Sequence, residues 1–241
     1  MPAAGDATRI LIRPSTVGIV GSAVLLAADL TWLALVRPPQ LPLLAAWFAA
    51  LAVVGAFLPG VANQVSLSRA HLAGPALVYS LLPSRLLELA AVVSLAGLSD
   101  LVDGAIARRF GSPTRLGGGL DPVVDGVFFG AVAIGLTLGG AYPWWLALVV
   151  ILRYALPAVV GAGLMLAGRR PQLHHTPLGQ VSTTLIGVLL GGLALFRGLG
   201  WSTDVLLVVA EVLLPVAALA TFVNLFWANR PAILGVPAPR G

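Results

Sequence analysis

The sequence predicts an all-α, polytopic membrane helix bundle, and three observations support this class. Hydrophobic residues make up 59% of the 241 positions. Charged residues make up 10%, far below the roughly 25% of an average soluble domain. The apolar residues also form long runs, separated by short segments rich in glycine, proline and arginine. A chain with so little polar surface is expected to lie in a lipid bilayer rather than in water.

Apolar runs of roughly the 20 residues that a helix needs to cross a bilayer define the predicted spans. The first run is longer than the apolar core of a signal peptide, so we expect it to remain as an uncleaved helix. Arg69, His71 and Gly74-Pro75 make the third run the least regular. The eight predicted spans are 16–36, 41–60, 65–83, 85–107, 120–139, 142–167, 179–197 and 205–228.

All 14 basic residues are arginine, and their distribution predicts the orientation of the chain. With the N-terminus inside, most arginines fall on the inner side, as the positive-inside rule requires. Both termini and the loops 108–120 and 168–178 are therefore predicted to be cytoplasmic. The net charge of +5 does not indicate nucleic-acid binding, because no basic patch is interleaved with aromatic residues. The chain has no cysteine, which excludes disulfide and thiolate sites.

Four aspartates lie close together in the sequence, at spacings that match a helix. Asp100 and Asp103 are three residues apart, and Asp121 and Asp125 are four apart, so each pair shares one helix face. The first pair lies near the end of one predicted span and the second near the start of the next. Because a short glycine-rich turn joins these spans, the helices run antiparallel and the four carboxylates are expected to converge at the cytoplasmic end.

Converging carboxylates repel each other unless they are protonated or neutralised by cations. Their oxygens are hard ligands that suit Mg²⁺ or Mn²⁺, and two such ions would hold a phosphoryl group between them. Gly104 and Ala107 leave room on the same face, and Arg108 and Arg115 add positive charge at the mouth. Solvation of loop ends would explain one or two aspartates, but four at these spacings favour a functional site.

The segment Asp100-x2-Asp103-Gly104-x2-Ala107-Arg108-x8-Gly117-x3-Asp121-x3-Asp125 resembles, without a departure, the signature of the CDP-alcohol phosphatidyltransferase family. Asn63, Arg69 and Pro75 resemble the family's opening residues more weakly. The resemblance implies a six-helix catalytic core over 61–228. Residues 1–60 would then be an extension with two transmembrane helices, and 229–241 a cytoplasmic tail.

The resemblance also implies roles for the signature residues. Asp100, Asp103 and Asp121 would bind two Mg²⁺ or Mn²⁺ ions, and Asp125 would act as the base while sharing a metal. The remaining signature residues and one neighbouring arginine would line the nucleotide site: Gly104, Ala107, Arg108, Arg115 and Gly117. The implied reaction transfers a phosphatidyl group from CDP-diacylglycerol to an alcohol and releases CMP, in a homodimer within the bacterial cytoplasmic membrane.

The acceptor alcohol depends on residues outside the signature. Arg153, inside a predicted span, either pairs with Glu88 or Glu211 or binds an acceptor phosphate; its context resembles phosphatidylglycerophosphate and cardiolipin synthases. Gln180 stands where those synthases have a phosphate-binding lysine. The favoured acceptor is glycerol 3-phosphate or phosphatidylglycerol, with inositol phosphate as the alternative.

A different class, a cation transporter, would place its acidic residues near the bilayer midplane on broken helices. The aspartate cluster is predicted at the cytoplasmic edge instead, which favours the enzyme. Asp29, in the first span, has no counterpart in the family signature, and we expect it to pair with another residue or to reach the membrane interface.

Overall fold

A computed structural model describes residues 13–110, 117–168 and 177–234, and within these ranges every side chain except those of 103, 106–110, 117–119, 177 and 231–234. This part of the chain is helical throughout, with short connections. The α-helices are α1 (Thr16–Val36), α2 (Leu41–Ala56), α3 (Val61–Ser80), α4 (Leu86–Phe110), α5 (Gly117–Leu138), α6 (Trp144–Leu166), α7 (Pro177–Gly198) and α8 (Asp204–Leu234), and a short 3₁₀ helix covers Pro83–Arg85.

The predicted all-α membrane bundle is confirmed. In the described part of the chain, α1, α5, α6, α7 and α8 are long and apolar enough to cross a membrane. The α2 helix is apolar but shorter. Buried polar residues such as Gln64, Arg69 and His71 lower the hydropathy of α3.

The boundary between the second and third predicted spans was wrong by four residues. Helix α2 ends at Ala56 rather than at residue 60, and α3 begins at Val61 rather than at residue 65. Gly60 adopts a positive φ of 91°, a conformation that favours glycine. It lies in the short connection that separates the two helices. The Asn63 side chain donates to the Pro59 carbonyl at 2.5 Å, so a polar residue in the first turn of α3 binds the backbone of the preceding connection.

Helix α3 lies at the centre of the bundle. It packs against both α4 and α5, and these two helices make at most marginal contact with each other within the described ranges. At Gly135, a Cβ would lie 1.7 Å from the Ser80 hydroxyl, so α3 and α5 approach more closely than any other residue would allow. The remaining helices enclose this centre: α6 packs on α5, α7 on α4, and α8 on α6 and α7.

Helices α1 and α2 form an antiparallel pair, called here the N-terminal hairpin, that packs against α3. Leu33 of α1, Leu44 and Phe48 of α2 and Val78 of α3 are buried together at this contact. A separate and larger apolar core is formed by residues of all six helices from α3 through α8. The hairpin is therefore attached to the rest of the bundle mainly through α3.

Candidate active site

Arg69 of α3 joins three of the predicted aspartates. Its guanidinium Nη1 contacts Asp100 Oδ1, Nη2 donates to Asp121 Oδ1 at 3.3 Å, and Nε lies 3.3 Å from Asp125 Oδ1. Arg69 itself is 2% exposed. A buried guanidinium keeps its charge and needs anionic partners, and here the carboxylates outnumber it. The structure thus brings Asp100, Asp121 and Asp125 around one guanidinium.

The packing of α3 between α4 and α5 explains this convergence. Asp100 lies on α4, whereas Asp121 and Asp125 lie one turn apart on α5. Because these two helices barely touch each other, a residue of α3 fills the space between their carboxylates. The sequence predicted the convergence from an antiparallel helix pair, but the structure achieves it through a third helix.

The three carboxylates differ in their access to solvent. The Asp100 side chain is 56% exposed, the Asp121 side chain 31% and the Asp125 side chain 9%. Asp100 therefore lies at the open edge of the site and Asp125 at its deep end. Tyr154 of α6 is packed closely beside this deep end, because a Cβ at Gly126 would lie 2.8 Å from the Tyr154 Cβ.

Several predicted site residues lie outside what the structure describes. Asp103, Ala107 and Arg108 belong to α4, but their side chains are not among the described ones. Arg115 lies outside the described ranges, and Gly117 is the first residue of α5. Gly104 is half-buried on α4. Within the described side chains, no three histidines, cysteines, aspartates or glutamates form a group that would hold a metal ion.

A cavity of about 810 Å³ extends from the aspartates along the bundle. Arg69, Asp100 and Asp125 line one end, and the walls are mostly apolar. On α4 it runs from Asp100 to Leu87, a rise of roughly 20 Å at 1.5 Å per residue. Glycines keep the α7 wall open, namely Gly187, Gly191 and Gly192.

Arg153 of α6 is buried and held by the first turns of α7. Its Nε donates to the Ser182 hydroxyl at 3.1 Å, and Nη2 donates to the Gly179 carbonyl at 3.0 Å. Pairing with Glu88, one of the alternatives for Arg153, is not formed, because Glu88 lies 2.7 Å from Arg85 at the other end of the bundle. The Arg153 guanidinium instead lies over the Tyr154 ring, 4.9 Å from its centroid, and Tyr154 packs beside Gly126, the residue after Asp125. Arg153 therefore borders the deep end of the aspartate site.

The family comparison matches the helices that build this site. The family model described as CDP-alcohol phosphatidyltransferase matches residues 60–223, more than half of the chain. The chain belongs to the CDP-alcohol phosphatidyltransferase family. The match covers α3 to α7 and most of α8, and it leaves the N-terminal hairpin outside. Members of this family depend on divalent metal ions.

Several relatives of this chain carry synthase or phosphatidyltransferase names. A Mycobacterium tuberculosis protein named "putative cardiolipin synthase" is 36% identical over 128 residues, 53% of this chain and 56% of the relative. Cardiolipin synthase (CMP-forming) of Streptomyces coelicolor is 34% identical over 110 residues, covering 46% and 51%. CDP-diacylglycerol–glycerol-3-phosphate 3-phosphatidyltransferase of Yersinia enterocolitica is 33% identical over 141 residues, covering 57% and 74%. This chain thus spans about half the length of the first two relatives. No solved structure matches the chain.

Two features of the site were not predicted from the sequence. Arg69 resembles a family position, but its contacts with three aspartates depend on helix packing. The cavity along α7 was also missed, although Gly187, Gly191 and Gly192 share neighbouring turns and small residues often mark such space.

Proposed function

We propose that this protein transfers a phosphatidyl group from CDP-diacylglycerol to an alcohol and releases CMP. The observation that carries the proposal is the meeting of Asp100, Asp121 and Asp125 around Arg69, with Asp100 and Asp125 lining one end of an apolar cavity. A polar, anionic end beside a long apolar space suits a substrate with a charged head and hydrocarbon tails. Membership of the family supports the same reaction. We assign the activity to residues 61–228.

The donor set supports Mg²⁺ or Mn²⁺ as the cofactor. Asp100, Asp121 and Asp125 offer carboxylate oxygens, the ligands that such hard cations prefer, and they carry more negative charge than Arg69 neutralises. We propose that Asp100, Asp103 and Asp121 hold two divalent ions and that Asp125 shares one of them. When bound, these ions would neutralise charge on the pyrophosphate and on the oxygen that leaves with CMP.

Asp125 is the proposed base. In the reaction, the acceptor oxygen forms a bond to the lipid-side phosphorus, and the bond from that phosphorus to the bridging oxygen breaks. The bridging oxygen leaves with the electron pair as part of CMP, and the acceptor's hydroxyl proton passes to Asp125. The deep, 9% exposed position of Asp125 supports this role, because a base there meets few waters that would compete with the alcohol.

The apolar cavity is proposed to hold the hydrocarbon tails of the CDP-lipid. Its length along α4, roughly 20 Å, exceeds the ~15 Å depth of one bilayer leaflet. Its volume of about 810 Å³ lies within the range of small-molecule sites. A lipid with its head at Asp100 would then extend its tails along α4 and α7 towards Leu87 and Leu195.

Arg153 supports an acceptor that carries a phosphate. Two of its nitrogens are fixed on α7, which holds the guanidinium beside the deep end of the site. We propose glycerol 3-phosphate or phosphatidylglycerol as the acceptor, which agrees with the names of the relatives from Yersinia and Streptomyces. Gln180 in place of the expected lysine leaves fewer cations near that phosphate, and inositol phosphate is the alternative acceptor.

The proposed setting is the bacterial cytoplasmic membrane, with the aspartates facing the cytoplasm. The arginine distribution supports this orientation. The nucleotide and a soluble acceptor would then reach the site directly from the cytoplasm. The family resemblance supports a homodimer.

The direct test supplies the purified full-length protein with labelled CDP-diacylglycerol and a panel of acceptors, and measures CMP release. We expect release with glycerol 3-phosphate or phosphatidylglycerol, its loss in EDTA, and its return with Mg²⁺ or Mn²⁺. Full turnover in EDTA would contradict the metal assignment. An absence of CMP release with every phosphorylated or free alcohol would contradict the proposed reaction.

A further inference from the structure

We propose that the N-terminal hairpin clamps one weak turn of α3 and thereby positions Arg69 among the aspartates. The hairpin, α1 and α2, lies outside the region that matches the family. This inference rests on the proposed function for its effect on turnover. The clamp itself concerns contacts between helices and has a separate structural readout.

The weak turn of α3 is caused by Pro75, which lies inside the helix. Proline has no N–H, so it cannot donate to the carbonyl of His71 four residues earlier, and its ring crowds that carbonyl. The affected turn, residues 70–75, is called here the Pro75 turn. Arg69 directly precedes it, so a movement of this turn would move Arg69 relative to the aspartates of α4 and α5.

The hairpin holds the Pro75 turn through side chains of both its helices. Trp47 Nε1 donates to the Ala70 carbonyl at 3.2 Å. Asp29 Oδ2 lies 2.5 Å from His71 Nδ1, and both residues are buried. These contacts fix the backbone and a side chain within one turn, on the segment where the helix has lost a hydrogen bond of its own.

Phe48 of α2 also packs against the Pro75 turn. Its ring is fully buried and stacks on His71, with ring centroids 6.2 Å apart and planes within 4°. A Cβ at Gly74 would lie 2.7 Å from the Phe48 ring, so Gly74 allows the ring to approach the Pro75 turn closely. The hairpin therefore contacts three of the six residues of this turn.

The clamp and the active site lie on opposite sides of α3. Successive residues of an α-helix are rotated by about 100°, so Arg69 and His71 leave α3 on roughly opposite sides. Arg69 faces Asp100 and Asp125, and His71 faces Asp29 of the hairpin. A buried ionisable pair gives little net stability, because both groups lose hydration, but it can fix one arrangement of two helices. Asp29 and His71 are thus positioning residues that act through Arg69.

Two tryptophans of the hairpin provide a matched pair of variants. Trp47 and Trp32 are both half-buried, and each donates its indole N–H to α3. Trp47 donates to Ala70 in the Pro75 turn, whereas Trp32 donates to the Tyr79 hydroxyl at 2.8 Å, beyond that turn. The variants Trp47→Phe and Trp32→Phe each remove one such hydrogen bond and shorten the ring equally.

We expect Trp47→Phe to speed hydrogen–deuterium exchange over residues 66–75 by roughly 2- to 10-fold, the effect of one lost hydrogen bond. The kcat for CMP release should fall by a similar factor. The KM for the CDP-lipid should change less than kcat, because most of the wall of the lipid cavity belongs to α4 and α7. Trp32→Phe should leave both exchange over 66–75 and kcat within about twofold of the wild type.

A charge exchange tests the Asp29–His71 pair independently. The single variants Asp29→His and His71→Asp place like groups together and should lower kcat by roughly 10-fold or more, within the range expected for misplaced catalytic groups. The double variant Asp29→His/His71→Asp restores an acid–histidine pair and should recover most of this loss. Folded protein is verified by size-exclusion chromatography in detergent.

The clamp is overturned if both tryptophan variants change exchange over 66–75 equally, or if neither changes it. Positioning of Arg69 is overturned if Trp47→Phe loosens this segment and leaves kcat unchanged, or if the double variant remains as slow as the single ones. A wild-type protein that releases no CMP would instead contradict the proposed function, and the exchange contrast would still decide the clamp.

Discussion

Asp125 differs from Asp100 in its surroundings, and this difference separates their proposed roles. Both carboxylates contact the Arg69 guanidinium, but the Asp125 side chain is 9% exposed and the Asp100 side chain is 56% exposed. A metal that carries a nucleotide needs an open edge, whereas a base benefits from a dry position. Tyr154 packs against Gly126, the residue after Asp125, and the Arg153 guanidinium lies over the Tyr154 ring, so a cation borders the deep end of the site.

We expect Asp125→Asn to lower turnover by roughly 10²- to 10⁴-fold, the usual contribution of a general base. CDP-lipid affinity should change little, because the amide keeps the shape of the side chain. Asp100→Asn should weaken metal and nucleotide binding together. Turnover and CDP-lipid binding are to be measured on the same preparations. Equal loss of binding in both variants would identify Asp125 as chiefly a metal ligand.

Arg69→Gln tests the counter-charge of the site. Removing a buried cation from buried Asp125 should destabilise the fold by about 3–5 kcal/mol. Mg²⁺ should then raise the melting temperature of the variant more than that of the wild type, because the added cation replaces the lost charge. Thermal unfolding in detergent, with and without Mg²⁺, measures both effects.

Arg85→Gln is the matched control, because Arg85 and Glu88 form an exposed ion pair with side chains 54% and 39% exposed. Exposed pairs contribute ~0–1 kcal/mol, so this variant should melt close to the wild type. If Arg69→Gln also melts like the wild type, the buried guanidinium is not the charge that holds the carboxylates together.

The helices α4 and α7 form the walls of the proposed lipid cavity, and Gly97 of α4 offers space for a substitution there. At Gly97 an added Cβ meets no atom within 4 Å, although the residue lines the cavity. The Cβ of Gly97→Leu therefore meets no clash, and we expect the rest of the leucine to occupy space proposed for a hydrocarbon tail. We expect KM for long-chain CDP-diacylglycerol to rise on the order of 10-fold, with a smaller change for short-chain CDP-lipid.

Gly163→Leu controls for the effect of leucine on helix stability. Gly163 lies on α6, away from the cavity lining, and its added Cβ also meets nothing within 4 Å. Both substitutions improve helix propensity by about 0.8 kcal/mol. Equal KM values for Gly97→Leu and Gly163→Leu with long-chain substrate would show that the tails bind elsewhere.

The positions of most helices could be predicted from the sequence, because a membrane-spanning helix depends on a local run of apolar residues. A spanning helix is a local property of about 20 apolar residues, so the run from Thr16 to Val36 gave α1 its correct bounds. The start of α3 was not predicted correctly, because its first turns contain polar residues that other parts of the bundle bury. Asn63 and Gln64 fall between two predicted spans, yet both are buried in α3, and Gln64 donates to the Gly55 and Leu58 carbonyls.

The site was predictable where its residues are close in sequence and not where they are distant. The spacing of Asp121 and Asp125 fixes their shared face on one helix. The contact of Arg69 with Asp121 joins residues 52 apart, and that of Asp29 with His71 joins residues 42 apart. Such contacts depend on which helices become neighbours, and a single sequence does not encode that in any local pattern.

The orientation of the whole molecule can be tested because the chain has no cysteine. Exposed positions at opposite ends of the bundle accept single cysteines: Ser84 and Ser202 at one end, Val61 at the other. In intact bacterial cells, a membrane-impermeant maleimide should label Ser84→Cys and Ser202→Cys but not Val61→Cys. Labelling after cell lysis is the control for reactivity. The opposite pattern would place the aspartates on the outer side.

The decreasing exposure from Asp100 to Asp121 to Asp125 has a consequence for fidelity. Water is itself a nucleophile, at far higher concentration than any alcohol in a cell, and its attack on the CDP-lipid would waste the activated donor as phosphatidic acid. A base at the dry end can be reached by an acceptor that arrives with its own binding contacts, such as a phosphate on Arg153. In the proposed reaction, the gradient therefore favours synthesis over hydrolysis, so the ratio of these two products would report on the depth of Asp125.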